Sequence, residues 1–387
     1  MSRRRLGLAV LAALTIGAVA AGIAVAGKGN GNNKTFEYTV GLWGDLPYND
    51  VQAQTGVPNL IADMNNSDIS FSIHDGDLKA GNATAGSATP TTCANALYVQ
   101  SLGFLNSLQQ PAFFTPGDND WTDCDRPSNG SFNELERLQH ERDVLFSTDQ
   151  SFGQKTMTTE VQTTPLCVGT RSTTAGSVDP NQYFSTPCVE NRRWTFHNVT
   201  FATVNVQGTC NNLCSSSTPP GVDVNGDPPE YAAREKADEQ WLQQTFDEAK
   251  ADGSAGVMIV WQADPGFDKS DGTRAPLRDP KTLVESDGAP DGFHDILSKL
   301  RDLTIDFKKP VVLVHGDSHY FRVDHPLQDS LGRRLENFTR VETFGDNQGN
   351  GNNDVQWVKA LIDPQSRDVF AFQTQIVPAN RVAVPAP

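Results

Sequence analysis

The stretch that decides the fold is residues 311–319, which read VVLVHGDSH. Its first four residues are apolar and mostly β-branched, which is typical of a strand buried on both faces of a sheet. The strand leads through His315 directly into Gly316-Asp317, so a carboxylate stands at its carboxyl end. In open α/β sheets, the carboxyl ends of the strands form the edge at which ligands bind.

The same pattern, a strand followed by Gly-Asp, occurs three times earlier in the chain. Trp43 leads into Gly44-Asp45, His74-Asp75 into Gly76-Asp77, and Thr115-Pro116 into Gly117-Asp118. A single Gly-Asp after a strand is most often only a turn, because glycine accepts unusual backbone angles and aspartate bonds to nearby amides. Four such steps predict instead that parallel strands bring their carboxylates to one edge of a sheet.

Strands and helices alternate along the chain. Strand-like runs occupy 36–43, 70–73, 112–115, 201–206, 257–261 and 311–314, and helical spacing occupies 95–105, 134–146, 232–249 and 294–307. This alternation predicts an α/β protein whose central sheets are flanked by helices. Residues 148–230 interrupt the pattern with Ser, Thr, Pro, Gly and four cysteines, which indicates an insertion or cap. We therefore expect one large domain over 36–376, followed by an irregular tail over 377–387.

The amino terminus has the features of an export signal. Three arginines at 3–5 precede an uncharged, apolar run over 6–26, which ends in small residues suited to a signal peptidase. Because the run is also long enough to cross a bilayer, an uncleaved membrane anchor is the alternative. A Gly/Asn-rich spacer follows over 27–35. We expect a secreted or extracytoplasmic protein, with membrane anchoring through this segment as the alternative.

The net charge indicates which partners the chain can bind. The cysteines indicate the redox compartment in which it folds. A net charge of −16 disfavours long nucleic acids, which bind through clustered Lys and Arg, whereas a metal ion can still attract a small phosphorylated substrate. The six cysteines are even in number and lack zinc-ligand spacing, which favours disulfides. Of the fifteen connectivities, we choose the pairing in chain order, Cys93–Cys124, Cys167–Cys188 and Cys210–Cys214.

The four predicted carboxylates need a neutralising partner. Like charges a few ångströms apart raise one another's pKa, so a shared site requires a proton or a cation. A divalent metal is the simplest answer. His319, two residues beyond Asp317, adds a nitrogen ligand, and aspartates with a single histidine suit hard or intermediate metals.

These motifs resemble those of the calcineurin-like metallophosphoesterases, a superfamily that includes the purple acid phosphatases. The matching segments, in the family's order, are GDLPY at 44–48, GDLK at 76–79, GDND at 117–120 and GDSH at 316–319. The strand at 257–262, VMIVWQ, stands where the family usually has a strand that ends in a metal-binding histidine. The resemblance covers 36–345 and implies a two-sheet sandwich.

The resemblance also implies two divalent metal ions bridged by Asp77. The other ligands of the first metal would be Asp45 and His319. The other ligands of the second metal would be Asp118, Gln262 and Asp317. Two metals held in this way clamp a phosphoryl group, activate a water and stabilise the leaving oxygen, which is the chemistry of phosphoester hydrolysis.

Several motif positions depart from the family pattern. Pro47 stands in place of a histidine ligand, Asp118 in place of an asparagine, and Gln262 and Asp317 in place of histidines. The resulting oxygen-rich set favours Mn²⁺, Fe, Mg²⁺ or Ca²⁺ over zinc. Asn119 replaces the histidine that commonly assists the transition state, and a missing proton donor costs roughly 10²–10⁴ in rate.

Further candidates flank the motifs. His74 and His315 are candidates to supply a proton or orient a carboxylate, with a buried structural histidine as the alternative. Asn119 and Tyr48 are candidates for substrate contacts, although Tyr48 also suits core packing. Lys79 and Arg126 are candidate phosphate contacts, with solvated surface charge as the alternative.

The sequence thus predicts an exported, metal-dependent phosphoesterase that acts on a small phosphorylated substrate. The alternative is a non-catalytic metal-binding or phosphate-binding surface protein on the same fold, which the residues at Pro47 and Asn119 favour. A nuclease acting on long chains is disfavoured, because the chain lacks basic patches. The sequence leaves the oligomeric state open.

Overall fold

The computed structural model describes residues 37–173, 180–214, 226–267, 278–286, 288–345 and 355–381. The chain from Phe36 onward forms one compact unit. The predicted signal or anchor over 1–26 and the spacer over 27–35 lie outside the described residues. Within the described ranges, no helix combines the length and the apolar character needed to cross a membrane.

The secondary structure follows the predicted alternation of strands and helices. The strands are β1 Tyr38–Trp43, β2 Phe71–His74, β3 Ala112–Phe114, β4 Glu160–Val161, β5 Leu166–Gly169, β6 Phe184–Pro187, β7 Arg192–Phe196, β8 Val199–Thr203, β9 Gly256–Val260, β10 Val311–His315, β11 Arg322–Asp324, β12 Phe338–Glu342, β13 Trp357–Ile362 and β14 Phe370–Gln375. The helices are α1 Val57–Asn65, α2 Asn95–Asn106, α3 Glu134–Leu145, α5 Pro228–Ala251 and α6 His294–Phe307, and the short segment α4 Gly208–Asn211 is a turn with left-handed backbone angles.

Two sheets form the centre of the molecule. The first has the strand order β14-β13-β1-β2-β3, and the second has the order β11-β12-β10-β9-β8-β7-β4. Strands β1, β2 and β3 run parallel to one another, as do β8, β9, β10 and β12. The carboxyl ends of each parallel set therefore share one edge of their sheet, as the Gly-Asp pattern predicted.

The two sheets pack face to face through a shared apolar core. Because side chains alternate along a strand, Val40 and Leu42 of β1 point to the same layer as Met258 and Val260 of β9. The opposite faces of the strands are covered by helices. Trp43 packs with α1 and α2, and Ile259 packs with α5 and α6. The α/β class and the two-sheet sandwich are confirmed.

Each of these buried side chains stabilises the sandwich through the hydrophobic effect. Full burial of a valine or leucine contributes roughly 1.5–3 kcal/mol. Val312 and Val314 of β10 lie in the layer between the sheets, whereas Val311 and Leu313 face the α5–α6 layer. The continuous apolar run that opens residues 311–319 is therefore required, because this strand is buried on both faces.

The segment 148–230 contributes to the core as well as to the surface. Strands β4, β7 and β8 from this segment belong to the second sheet, while β5 and β6 form a separate two-stranded ribbon. All three disulfides form in chain order, Cys93–Cys124, Cys167–Cys188 and Cys210–Cys214, so the predicted pairing is confirmed. Three disulfides fit an oxidising compartment.

Candidate functional site

The predicted strand-end residues meet where the carboxyl edges of the two sheets come together. Asp45, Asp77 and Asp118 follow β1, β2 and β3 of the first sheet, and Gln262 and Asp317 follow β9 and β10 of the second. The backbone N–H of Asp317 donates to both carboxylate oxygens of Asp45, at 3.3 and 3.1 Å. The Gln262 amide donates to Asp77 Oδ2 and to Asp118 Oδ1, each at 3.2 Å.

The glycines of the motifs make room for the carboxylates of the neighbouring motifs. A Cβ atom on Gly117 would lie 2.1 Å from Asp77 Oδ1, and one on Gly316 would lie 2.1 Å from Asp45 Oδ2. Such distances are far inside van der Waals contact. A side chain at Gly117 or Gly316 would therefore collide with the aspartate of a neighbouring motif. Glycine at these positions lets the strand ends pack together.

The aspartates themselves occupy sharp turns. Asp45, Asp77 and Asp317 have φ values of 52°, 63° and 73°, and His319 has 69°. Short polar residues accept this left-handed region more readily than most, because their side chains can bond to the local backbone. The turns let the chain leave each strand abruptly while its carboxylate stays at the sheet edge.

The first half of the site consists of Asp45, His319 and Tyr48. His319 Nε2 lies 3.4 Å from Asp45 Oδ1. The Tyr48 hydroxyl lies among these groups, 3.1 Å from Asp45 Oδ1, 2.9 Å from Asp77 Oδ2 and 3.3 Å from His319 Nε2. Asp77 adjoins this half through Tyr48 and also receives the Asn119 side-chain amide at 2.7 Å.

The second half of the site consists of Asp118, Asp317, Gln262 and Thr209. The Thr209 hydroxyl donates to Asp118 Oδ2 at 2.7 Å, and the Gln262 oxygen accepts from Gly208 N at 2.5 Å. A Cβ atom on Gly208 would lie 2.6 Å from Asp118 Oδ2 and 3.2 Å from Asp317 Oδ1, so both carboxylates border the same loop. Asp317 Oδ2 also accepts from a backbone N–H, at 3.1 Å.

Behind the cluster, Asp120 fixes the loops that carry it. Its carboxylate accepts from the backbone N–H groups of Asp77, Leu78 and Gly117, at 3.1, 2.5 and 2.7 Å. Burial raises the pKa of Asp120 to about 7, against the opposing effect of these hydrogen bonds. The third motif therefore supplies a structural carboxylate in addition to the predicted ligand.

The cluster opens into a cavity of about 400 Å³, a volume within the range of small-molecule sites. Its lining residues are Tyr48, Asp77, Gly81, Asp118, Asn119, Asp123, Arg126, Thr209, Cys210, Cys214, Asp317 and His319. Arg126 contacts Asp123 at 2.6 Å and donates to Gly81 O at 3.0 Å. The cavity thus combines acidic groups with donors that suit an anionic substrate.

Burial and mutual repulsion make the ionised carboxylates of this cluster unfavourable unless a cation is bound. Burial, together with the neighbouring charges of Asp118 and Asp45, raises the pKa of Asp77 well above its ordinary value. Burial acts the same way on Asp45, but His319 and its hydrogen-bond donors lower the pKa of Asp45 overall. A divalent cation between the carboxylates would favour their ionised forms.

The chemical types of these donor groups suit a divalent cation. Aspartate oxygens with one imidazole are suitable ligands for a hard or intermediate divalent metal. Among the residues that the structure describes, however, no three His, Cys, Asp or Glu side chains are already grouped to hold a metal ion. Hydroxyl and amide groups of Tyr48, Asn119 and Gln262 stand between the carboxylates and bond to them.

Of the predicted site residues, Asp45 and Gln262 do not line the cavity but bond to residues that do. Three others also do not line it. His74 is buried, its Nδ1 accepts from Gly76 N at 3.1 Å, and burial lowers its pKa to about 4. His315 is also buried, contacts Gly316 O at 2.9 Å, and has its pKa lowered to about 4 by burial. Lys79 is buried behind the carboxylates, where it donates to Ala80 O at 2.9 Å. In these positions none of the three reaches a substrate in the cavity, and all three contact the backbone.

The loop that follows β8 was not among the predicted site residues. Thr209 contacts Asp118, and the Cys210–Cys214 disulfide lines the cavity. A signal was available, since Gly208-Thr209 comes shortly after a strand-like run, as the four Gly-Asp steps do. Asp123 was also overlooked, whereas Arg126, a candidate phosphate contact from the sequence, does line the cavity.

Comparisons with known proteins include solved structures of low sequence identity. No protein-family model matches the chain, and no curated protein sequence matches it. One similar solved structure is GAP50, the anchor in the inner membrane complex of Plasmodium, at 9% identity and a TM-score of 0.37 over 88% of both chains. Another is the 5'-nucleotidase from Candida albicans SC5314, at 11% identity and a TM-score of 0.40 over 88% of this chain and 52% of that one. This chain thus spans about half of the nucleotidase. Because both TM-scores are below 0.5, the chemistry of this chain is inferred from its site residues alone.

Proposed function

We propose that the chain is an exported, metal-dependent phosphoesterase that hydrolyses small phosphate esters. The observation that carries this proposal is a cavity lined by Asp77, Asp118, Asp317 and His319, with the buried Asp45 in contact with His319 and Asp317. A buried group of four carboxylates is unfavourable by itself, and a bound cation removes that penalty. The N-terminal segment supplies the expectation of export.

The proposed ligands follow from the positions of the two halves. Asp45 and His319 would hold an ion in the first half, Asp118 and Asp317 would hold one in the second, and Asp77 lies between them. When bound, these ions would polarise the phosphoryl group and activate a water. The carboxylate-rich donors favour Mn²⁺, Fe, Mg²⁺ or Ca²⁺ over zinc.

Other residues of the cavity would bind and orient the substrate. The Asn119 amide and the Arg126 guanidinium present N–H donors of the kind that bind phosphate oxygens. Burial and the adjacent carboxylates raise the pKa of Tyr48 well above its ordinary value, so its hydroxyl keeps a proton. Tyr48 would therefore act as a hydrogen-bond donor to substrate oxygens or to the carboxylates.

A second candidate function is a non-catalytic binding protein on the same fold. The observation that favours it is the set of donors between the carboxylates, since Tyr48 and Gln262 satisfy Asp77 and Asp118 by hydrogen bonds. Such a protein would bind a metal ion or phosphate without turnover. Pro47 and Asn119, which stand where the resembling family has histidines, favour the same candidate.

The test is turnover by the purified protein, loaded with Mn²⁺ or treated with a chelator, on aryl phosphate monoesters and diesters. We expect hydrolysis that depends on the metal and falls by a factor of at least about 10³ in Asp77→Asn, because this residue adjoins both halves. Asp363→Asn, far from the cavity, is the matched control. Tight Mn²⁺ binding without turnover would support the second candidate, and absence of Mn²⁺ binding would overturn both metal-based functions.

A further inference from the structure

One turn at the wall of the cavity has an unfavourable backbone. Thr209, Cys210, Asn211 and Asn212 all have positive φ, between 49° and 62°. Consecutive left-handed residues are rare, because each Cβ atom approaches the following carbonyl. Thr209 is the least suited of the four, since a β-branched residue in this region is an outlier and Gly or Asn would fit with less strain.

Two interactions fix the conformation of this turn. The Cys210–Cys214 disulfide closes it covalently. Arg234, which is buried in α5, donates to Asn211 Oδ1 at 2.7 Å and to Asn211 O at 2.8 Å. The unfavourable conformation therefore persists because a covalent bond and a buried guanidinium stabilise it, which is the pattern expected where strain serves a function.

The turn delivers one hydroxyl to the carboxylate cluster. Thr209 Oγ1 lies 2.7 Å from Asp118 Oδ2 and 3.3 Å from Asp123 Oδ1, so the stronger bond goes to Asp118. The other oxygen of Asp118 accepts from Gln262 Nε2 at 3.2 Å and from Asn119 N at 3.0 Å. Asp118 is thus held by donors on both oxygens, and the donor to Oδ2 comes from the strained turn.

We propose that Thr209 is a positioning residue for Asp118, and that the disulfide-closed turn Thr209–Cys214 serves to hold its hydroxyl in place. This inference rests on the proposed function, because it assigns Asp118 to the cation site of the second half. The bond to Oδ2 fixes the carboxylate in one orientation. A residue that supports a metal ligand in this way changes metal affinity without touching the metal.

The test compares Mn²⁺ binding to the wild type, Thr209→Val and Thr209→Ser by titration calorimetry and electron paramagnetic resonance. Valine keeps the shape and removes the hydroxyl, so we expect the affinity of one Mn²⁺ site to fall by roughly 10–100-fold. Serine keeps the hydroxyl and should restore affinity to within about threefold of the wild type. In turnover, kcat should fall in Thr209→Val with KM unchanged.

The disulfide provides a second variant with a matched control. We expect Cys210→Ser/Cys214→Ser to lower Mn²⁺ affinity in the same direction as Thr209→Val, because the turn is no longer closed. Cys167→Ser/Cys188→Ser removes the disulfide of the β5–β6 ribbon, which does not line the cavity, and should leave Mn²⁺ affinity unchanged. An equal loss in both double variants would point to general destabilisation and overturn the role of the turn.

Different results would contradict the proposed function and the positioning role of Thr209. Wild-type protein that binds Mn²⁺ while Thr209→Val binds it equally well would overturn the inference alone. Wild-type protein that binds no Mn²⁺ would overturn the proposed function and the inference with it. Loss of affinity in Thr209→Val with full rescue in Thr209→Ser supports both.

Discussion

The two halves of the site differ in what balances their carboxylates. In the first half, the imidazole of His319 lies 3.4 Å from Asp45 and can carry a positive charge. In the second half, Asp118 is met by the neutral amide of Gln262 and the neutral hydroxyl of Thr209. Hydrogen bonds reduce the cost of burying a carboxylate, but only an opposite charge balances it.

Because of this difference, we expect metal binding in the first half to depend more strongly on a single side chain than metal binding in the second half. His319 is the single imidazole of the predicted set, and its side chain is 23% exposed while that of Asp45 is fully buried, so it can turn toward an ion from the cavity. Gln262 has its oxygen engaged by Gly208 N and its nitrogen facing the carboxylates. A cation in the second half would gain little from Gln262 unless this amide turned around.

The largest expected effect is therefore the contrast between His319→Ala and Gln262→Ala. We expect His319→Ala to lower Mn²⁺ affinity by more than the roughly 10–100-fold that loss of a supporting contact costs. Gln262→Ala should stay within that range. The measurement is Mn²⁺ titration of both variants, and equal losses would show that the halves do not differ in this way.

The buried histidines behind the two halves give a pH prediction. The pKa of His315 is lowered to about 4 by burial, against about 6.5 in an unfolded chain. Its contribution to stability is therefore full above pH 6.5 and is lost as the pH falls toward 4. In His315→Gln, the fall in unfolding free energy across this window should be shallower than in the wild type, by at most roughly 1.4 kcal/mol per pH unit.

Denaturant unfolding at several pH values between 4 and 7 measures this slope. His294→Gln, at a histidine on the surface that begins α6, is the control for loss of an imidazole outside the core. Identical slopes in His315→Gln and the wild type would mean that His315 does not resist protonation in the fold. His74, behind the first half, has its pKa lowered to about 4 by burial and should behave in the same way.

A smaller effect is expected from Tyr48→Phe in the first half. Without metal, the tyrosine hydroxyl lies within hydrogen-bond distance of Asp45 and Asp77 and donates its one proton to one of them, so its loss should destabilise the protein by about 1–3 kcal/mol. Saturating Mn²⁺ should recover most of that loss, because the cation then balances the same carboxylates. Melting temperatures with and without Mn²⁺ measure this, and a loss unaffected by Mn²⁺ would exclude this role for Tyr48.

The smallest expected effect comes from making the second half resemble the first. Gln262→His introduces an imidazole beside Asp77 and Asp118, and nitrogen ligands suit zinc better than carboxamide oxygen does. We expect the ratio of Zn²⁺ to Mn²⁺ affinity to rise by about tenfold. Competition titrations measure this ratio, with Gln243→His on the surface of α5 as the control, and an unchanged ratio would place residue 262 outside the ligand set.

Much of the fold and of the site was predictable because the signals are local. The run over 311–314 is apolar at every position since β10 is buried on both faces, and the helix at His294–Phe307 begins and ends as its spacing predicts. Strands β13 and β14 were overlooked, although β13 pairs with the central strand β1. Residues of β14 are partly polar and exposed, so the period of the sequence does not distinguish this strand from a loop. Strand β13 is mostly apolar and buried, so its sequence did carry a strand signal.

Adjacent residues encode the four Gly-Asp steps, because each step places a glycine and a carboxylate after a strand; at Asp45, Asp77 and Asp317 the step is also a left-handed turn. The tertiary structure determines which side chains face the cavity. Thr209 reaches Asp118 from 91 positions away, and Tyr48 reaches Asp77 from 29. Lys79 stands two positions from Asp77 and is nevertheless buried away from the cavity. The physical reason is that burial depends on the packing of distant segments, which adjacent residues do not encode.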